Sequence, residues 1–377
     1  MKKERDTSPQ EDWQKSFQPD RRNFIGEIYI IGNYTESEVL EMELVELLKD
    51  LTLIPGISGY EDYIRERLKE WLTPYAEFHE DRIGNLIVEI GDGNDRAIFM
   101  AHIDEIGLIV TGITNDGELT FRKIGRIDDR LLYGRHVDVI TENGKVDGVI
   151  GAVPPHLNIE GEMETAPWHR LSIDIGVESR EEAIELGVKP LDFAVFKKHF
   201  AVLNNRFVSC RSLDDRFGAA VLLEVIKHFA ETGIEGSIDG KLIFAFTVQE
   251  ENGLKGARFL SNSFFPKYAI AVDSFGCCNI LTGDVKLGDG PVIRAVDNSA
   301  IYSRRLARRV MDIAEKAGIH VQIGTTGGGT DSSAFEHKSE ILTLSVPVKY
   351  LHSEVEMIHI GDVRALVELL INTVREL

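Results

Sequence analysis

Cysteine, tryptophan and long apolar runs are all scarce in this chain of 377 residues. The only cysteines are Cys210, Cys277 and Cys278, too few and odd in number for a disulfide framework, so we expect free thiols in a reducing compartment. No stretch approaches the roughly 20 consecutive apolar residues that a membrane helix requires. The basic residues near the N-terminus precede no apolar segment, which argues against a secretory signal. These absences predict a cytoplasmic protein.

Positive charge is also in short supply. The sequence has 42 Lys and Arg against 62 Asp and Glu, for a formal net charge of −20. Nucleic acids and anionic membranes require a basic surface, so neither is expected as a partner. An acidic composition assigns no function by itself, but carboxylates are also ligands for cations.

From Met42 onward, the hydrophobic pattern predicts helices that alternate with strands. Nearly continuous apolar runs, as in 97–102 and 241–248, are typical of buried central strands. This alternation predicts an α/β fold with helices on both faces of a sheet. The predicted helices are 43–51, 60–72, 215–231, 302–317 and 362–377, and the predicted strands are 85–90, 97–102, 241–248, 268–272 and 341–346.

The pattern divides the chain into three regions. Residues 1–41 are polar with little periodicity, and we expect a flexible extension there. Residues 109–204 contain short alternating runs cut by turn signals, which predicts a small inserted β domain. Residues 42–108 and 205–377 make up the predicted α/β domain.

Histidines or carboxylates follow the predicted strands or begin a helix in five separate segments. Open α/β sheets place their active sites at the carboxyl ends of the strands, so these side chains are expected at one edge. Singly, each has an ordinary explanation: Asp214 or Asp215 could be the N-cap of a helix, and the glutamates could be surface charge. Together they would repel one another unless a cation were bound. The candidate residues are His102, Asp104, Asp214, Glu250, Glu251, Asp273 and His352.

The residue types indicate the cation and the chemistry. Two histidines and three carboxylates suit zinc, cobalt or manganese. Asp104 lies two residues after His102, at a spacing typical of a carboxylate that orients a ligating imidazole. Of the adjacent Glu250 and Glu251, one can bind metal while the other acts as the general base of a hydrolysis.

Six motifs in order give the chain a strong resemblance to a known family. It resembles the glutamyl and deblocking aminopeptidases, the tetrahedral aminopeptidases that form family forty-two of the metallopeptidases, over about residues 43–377. The motifs are AHIDEIG (101–107), SLDDRFG (212–218), TVQEENGLKGA (247–257), AVDSF (271–275), GTTGGGTDSSAF (324–335) and YLHSEVE (350–356).

The resemblance implies a role for each candidate residue. Asp214 would bridge two divalent ions, and the peptide that joins it to Asp215 is expected to be cis. Glu251 and His352 would complete one metal site, and His102 and Asp273 the other. Glu250 would be the general base, Asp104 would support His102, and a water that bridges the metals would be the nucleophile. Three negative ligands against two divalent ions leave the filled site nearly balanced.

The resemblance also implies an architecture and an assembly. It implies a dinuclear-metallopeptidase α/β sandwich domain with an inserted, small β-barrel-like dimerisation domain. Dimers would assemble into a tetrahedral shell of twelve subunits that degrades peptides from their N-termini.

Two other functions are compatible with parts of the sequence. A glycoside hydrolase is one, because relatives of this family have been called cellulases. Such an enzyme needs two carboxylates that face each other across a sugar, which adjacent glutamates such as Glu250 and Glu251 cannot do. A non-catalytic assembly subunit is the other, but it would be expected to lack a ligand or the base.

Overall fold

The computed structural model describes residues 36–152, 156, 167–233 and 239–377. These residues fall into two compact units, one formed by Ile106–Lys198 and the other by Glu36–Glu105 with His199–Leu377. Most of the predicted N-terminal extension, residues 1–35, lies outside the described residues, whereas residues 36–41 are helical.

Within the described residues the chain forms seven α-helices and sixteen β-strands. The helices are α1 (Glu36–Leu53), α2 (Asp62–Leu72), α3 (Arg180–Glu185), α4 (Leu213–Thr232), α5 (Lys255–Ser263), α6 (Arg304–Ala317) and α7 (Ile360–Glu376). The strands are β1 (His79–Glu80), β2 (Leu86–Ile90), β3 (Asp95–His102), β4 (Gly107–Ile113), β5 (Leu119–Ile124), β6 (Arg135–Thr141), β7 (Gly144–Ile150), β8 (Phe193–Phe196), β9 (Ala201–Leu203), β10 (Phe207–Ser209), β11 (Lys241–Thr247), β12 (Tyr268–Gly276), β13 (Val292–Val296), β14 (Gln322–Thr325), β15 (Glu340–Val348) and β16 (Met357–His359).

An eight-stranded sheet forms the core of the larger unit, in the order β1-β2-β11-β3-β12-β15-β13-β14. Its central strands β11, β3, β12 and β15 are parallel to one another and almost entirely buried. Their apolar side chains explain the burial; Phe99 and Phe244, for example, stack with their ring centroids 5.3 Å apart. Helix α4 packs against β3 and β12, and α1 and α7 pack against α4. Parallel pairing therefore brings the carboxyl ends of the central strands together.

The smaller unit is built on a five-stranded antiparallel sheet in the order β5-β4-β8-β6-β7. It has its own core, to which Leu108, Val137 and Ala194 each contribute a fully buried side chain. Strand β9 lies outside this unit because it pairs with β10, which in turn pairs with β16 in a three-stranded sheet of the larger unit.

The expectation for the cysteines was wrong in part. Cys277 and Cys278 are joined by a disulfide between adjacent residues, whereas Cys210 is free and buried. Cysteine count and spacing did not predict this bond; the two residues directly follow β12, and Cys278 has a positive φ of 70°.

None of the helices in the described part of the chain combines the length and apolar character needed to cross a bilayer. The cytoplasmic location stays a prediction.

Candidate metal centre and active site

Strand register places His102 and Asp273 side by side. The last paired residues of β3 and β12 are Met100 and Ala271. His102 and Asp273 each lie two residues further along these parallel strands, at the same level of the sheet edge. Thr247, the last residue of β11, pairs with His102 on the other side of β3. The loop that follows β11 therefore carries Glu250 and Glu251 to the same edge.

Two groups of side chains at this edge have the composition of metal sites. The first is His102, Asp214 and Asp273, and the second is Asp214, Glu251 and His352. In each group one potential ligand atom per residue lies within 4.8 Å of the others. The structure thus brings together all five residues proposed as ligands, and their imidazole and carboxylate donors fit a divalent transition metal.

Asp214 belongs to both groups and presents a different oxygen to each. Its Oδ1 lies 3.2 Å from Nε2 of His102, and its Oδ2 lies 3.3 Å from Nε2 of His352. In the second group, Nε2 of His352 is also 3.2 Å from Oε1 of Glu251. This is the arrangement expected of a carboxylate that bridges two ions.

At the start of α4, the adjacent residues Asp214 and Asp215 make different contacts. The peptide between Asp214 and Asp215 is cis, as predicted, and both residues have non-helical backbone angles. Asp215 Oδ1 accepts the Gly218 N–H at 3.1 Å, as an N-cap does, and its Oδ2 accepts the His102 N–H at 3.2 Å. The helix-capping explanation therefore applies to Asp215, which leaves the side chain of Asp214 directed to the two histidines.

Asp104 supports the site through more contacts than the sequence indicated. His102 Nδ1 lies 3.1 Å from the backbone oxygen of Asp104 and 3.6 Å from its Oδ1. The same carboxylate accepts the backbone N–H of Glu250 at 2.9 Å and of Glu251 at 3.1 Å, and the hydroxyl of Ser58 donates to it at 2.6 Å. Asp104 thus fixes both the imidazole and the two glutamates.

Glu250 lies beside the two groups without being a member of either. Its Oε2 is 4.0 Å from Nε2 of His102, and its side chain is 11% exposed. Burial raises the pKa of Glu250 well above its ordinary value; His102 opposes this rise, and Asp273 and Glu251 add to it. A carboxylate with a raised pKa is suited to take a proton from water and to return it to a leaving group.

The pKa values of His352 and Asp273 indicate an excess of negative charge at this edge of the sheet. Burial alone would lower the pKa of His352, but the charges of Glu251 and Asp214 raise it to about 12. Burial raises the pKa of Asp273 to about 7, although Arg294 opposes the rise. Divalent cations satisfy such a set of converging carboxylates.

Sequence reasoning missed several buried polar residues that surround these groups. Arg294 lies 3.7 Å from Asp273, Asp331 accepts a hydrogen bond from Thr247, and Glu356 accepts two from backbone N–H groups. Asp331 and Glu356 both lie in motifs that the sequence analysis quoted. Their place in these motifs could have marked both residues as candidates, but only the fold shows what their side chains contact.

Fold and site together define a metallopeptidase of the α/β class, and comparison with known proteins identifies the family. The M42 glutamyl aminopeptidase family model matches residues 84–369, and the chain belongs to this family. It is a peptide hydrolase of the aminopeptidase type, which confirms the predicted enzyme class, and the predicted α/β fold is confirmed as well.

Three relatives illustrate the similarity. The lysyl aminopeptidase of Pyrococcus furiosus is 31% identical over 84% of this chain and 93% of its own length. The glutamyl aminopeptidase of Lactococcus lactis is 28% identical over 85% of this chain and 93% of its own. The solved structure of the TET1 peptidase of Pyrococcus horikoshii is 62% identical, with a TM-score of 0.85, and covers 89% of this chain and 100% of its own. That peptidase is described as assembling into a tetrahedron or a large octahedral shell.

Proposed function

We propose that the chain is a dinuclear metalloaminopeptidase that releases N-terminal residues from peptides. The observation that carries this proposal is the position of Asp214, which faces His102 with one oxygen and His352 with the other. A single-ion site would need only one of these contacts.

Each residue then has a defined task. Asp214 would be shared by two ions, His102 and Asp273 would complete one site, and Glu251 and His352 would complete the other. Bound divalent ions would polarise the scissile carbonyl and lower the pKa of water. Glu250 would accept the proton of the attacking water and deliver it to the leaving amine. Asp104 would hold Glu250 in place by accepting its backbone N–H.

Zinc and cobalt are the ions we expect, and manganese is a further candidate. Imidazole nitrogen together with carboxylate oxygen suits all three ions. None of the proposed ligands is a thiolate, which argues against Cu(I) and iron–sulfur clusters.

Removal of metal is expected to lower aminopeptidase activity by about 100-fold or more, because Lewis-acid catalysis contributes several kcal/mol. The protein would be treated with EDTA, desalted and assayed on a panel of aminoacyl p-nitroanilides. Zinc, cobalt and manganese would then be added back separately, and N-acetylated substrates would serve as a control for the free N-terminus. Full activity after chelation would contradict a metal-dependent mechanism, and hydrolysis of a glucan by the metal-free protein would favour the glycoside hydrolase.

Assembly gives a second test. The unit Ile106–Lys198 contains none of the proposed ligands, and we propose that it forms a dimer contact. We expect a native mass of about 500 kDa, twelve times the 42.2 kDa subunit, when measured by light scattering. The shell would admit short peptides and exclude folded proteins. A fully active 42 kDa species at micromolar concentration would contradict the assembly and leave the metal chemistry standing.

A further inference from the structure

The loop that carries His352 has an unfavourable backbone conformation. Lys349 and Met357 close its base by exchanging two backbone hydrogen bonds, each 3.0 Å long. Inside the loop, Tyr350 and His352 both have a φ of 59°, in the left-handed region that residues with side chains rarely adopt. Some contact must therefore hold His352 in this conformation.

Glu356 makes one such contact and a second one to another proposed ligand. Its carboxylate is buried, with the residue only 2% exposed. Oε1 accepts the backbone N–H of His352 at 2.8 Å, and Oε2 accepts the backbone N–H of Asp214 at 3.1 Å. One side chain thus joins the backbones of two residues that belong to the same candidate metal site.

Strand pairing explains why these segments meet. β10, which leads to Asp214, pairs with β16, which begins directly after Glu356, and the register aligns Ser209 with Met357. The backbone oxygen of Glu356 also accepts the N–H of Cys210, at 3.1 Å. Glu356 therefore lies where the two ligand-bearing segments come closest.

We propose that Glu356 is a positioning residue that sets the separation of Asp214 and His352 and thereby the metal affinity of the site they share with Glu251. The proposal rests on the proposed function, since it requires that these residues bind metal. Glu356 belongs to neither group of potential metal ligands among the described residues, and each of its carboxylate oxygens accepts a backbone N–H, which assigns it to positioning rather than to ligation.

The substitution Glu356→Gln tests this geometry with little change in volume. An amide has one oxygen, so only one of the two N–H groups keeps an acceptor while the other faces an NH₂ group. We expect the affinity of the Glu251–His352 site for Zn²⁺ to fall by about 10- to 100-fold, the range typical of residues that orient metal ligands.

Asp362 provides a matched control. It is also 2% exposed, and its two oxygens accept the N–H groups of Gly288 and Gly290 at 2.7 and 2.9 Å. Asp362→Asn removes the same kind of contact at a place where neither N–H belongs to a proposed ligand. We expect it to lower the Tm of the metal-free protein to a similar extent as Glu356→Gln and to leave metal affinity unchanged.

The measurement is a Zn²⁺ titration of each metal-free protein against a chromophoric chelator, together with thermal unfolding without metal. Glu356→Asp, which keeps the carboxylate on a shorter side chain, should give an intermediate affinity. Wild-type Zn²⁺ affinity in Glu356→Gln, with only the Tm reduced, would overturn the positioning role. If the wild-type protein itself binds no Zn²⁺, the proposed metal centre fails instead, so the two failures are distinguishable.

Discussion

Replacing Glu250 by glutamine is expected to lower kcat by about 100-fold or more and to leave the metal content unchanged. Glutamine has nearly the same shape, but its amide cannot accept the proton of the attacking water. Glu250 belongs to neither ligand group, and its backbone N–H is held by Asp104 through a 2.9 Å hydrogen bond that the substitution retains. Proton transfer should therefore be lost without a change in the site's architecture.

The neighbouring residue provides the control for this experiment. Glu251→Gln changes the same chemical group one position along the chain, but Glu251 Oε1 lies 3.2 Å from Nε2 of His352 and belongs to a ligand group. It should reduce bound metal, as measured by elemental analysis, whereas Glu250→Gln should not. Near-normal kcat in Glu250→Gln would exclude it as the base, and full metal content in Glu251→Gln would exclude that residue as a ligand.

The parts of the fold that sequence reasoning predicted are those that hydrophobicity alone determines. Strands β3, β11, β12 and β15 were recognisable because their residues are buried on both faces and form nearly continuous apolar runs. Once these strands are parallel, the residues near their carboxyl ends and in the loops that follow must share an edge. The convergence of His102, Glu251, Asp273 and His352 follows from that topology.

Element boundaries depend on individual contacts and were predicted less well. The predicted helix at 60–72 begins two residues later, at Asp62. Glu61, which precedes it, is buried and accepts the N–H groups of Gly59 and Gln249 at 2.7 and 3.0 Å. Gln249 is 188 residues away along the chain, so a local pattern contains no sign of this contact.

The backbone contacts of the supporting carboxylates were the hardest feature to predict, even though Asp104 was itself predicted to support His102. Asp104 and Glu356 each accept hydrogen bonds from the backbone N–H groups of two residues that are proposed as catalytic or as metal ligands. Any residue other than proline offers an N–H, so the identity of the partner leaves no signature in the sequence. Only the register of the strands determines which N–H group each carboxylate reaches.

Asp214→Asn is expected to cause the largest loss of metal among the ligand substitutions, because both groups lose the ligand that they share. Asparagine retains one carbonyl oxygen and no negative charge, so it cannot offer an anionic oxygen to each side. Asp273→Asn is the appropriate comparison, since Asp273 is also buried but belongs to only one group. Elemental analysis of the desalted variants should give close to no bound metal for Asp214→Asn and close to one ion for Asp273→Asn.

This comparison separates bridging from ordinary ligation. Two independent sites that happened to be neighbours would each tolerate the loss of a ligand to a similar extent, and the two variants would then retain equal amounts of metal. That outcome would remove the bridging assignment even though Asp214 lies 3.2 Å from His102 and 3.3 Å from His352. A clear difference in metal content would instead assign the effect to the shared carboxylate, provided that the two metal-free variants have similar Tm values. Similar Tm values would exclude unfolding of Asp214→Asn as the cause of its greater metal loss.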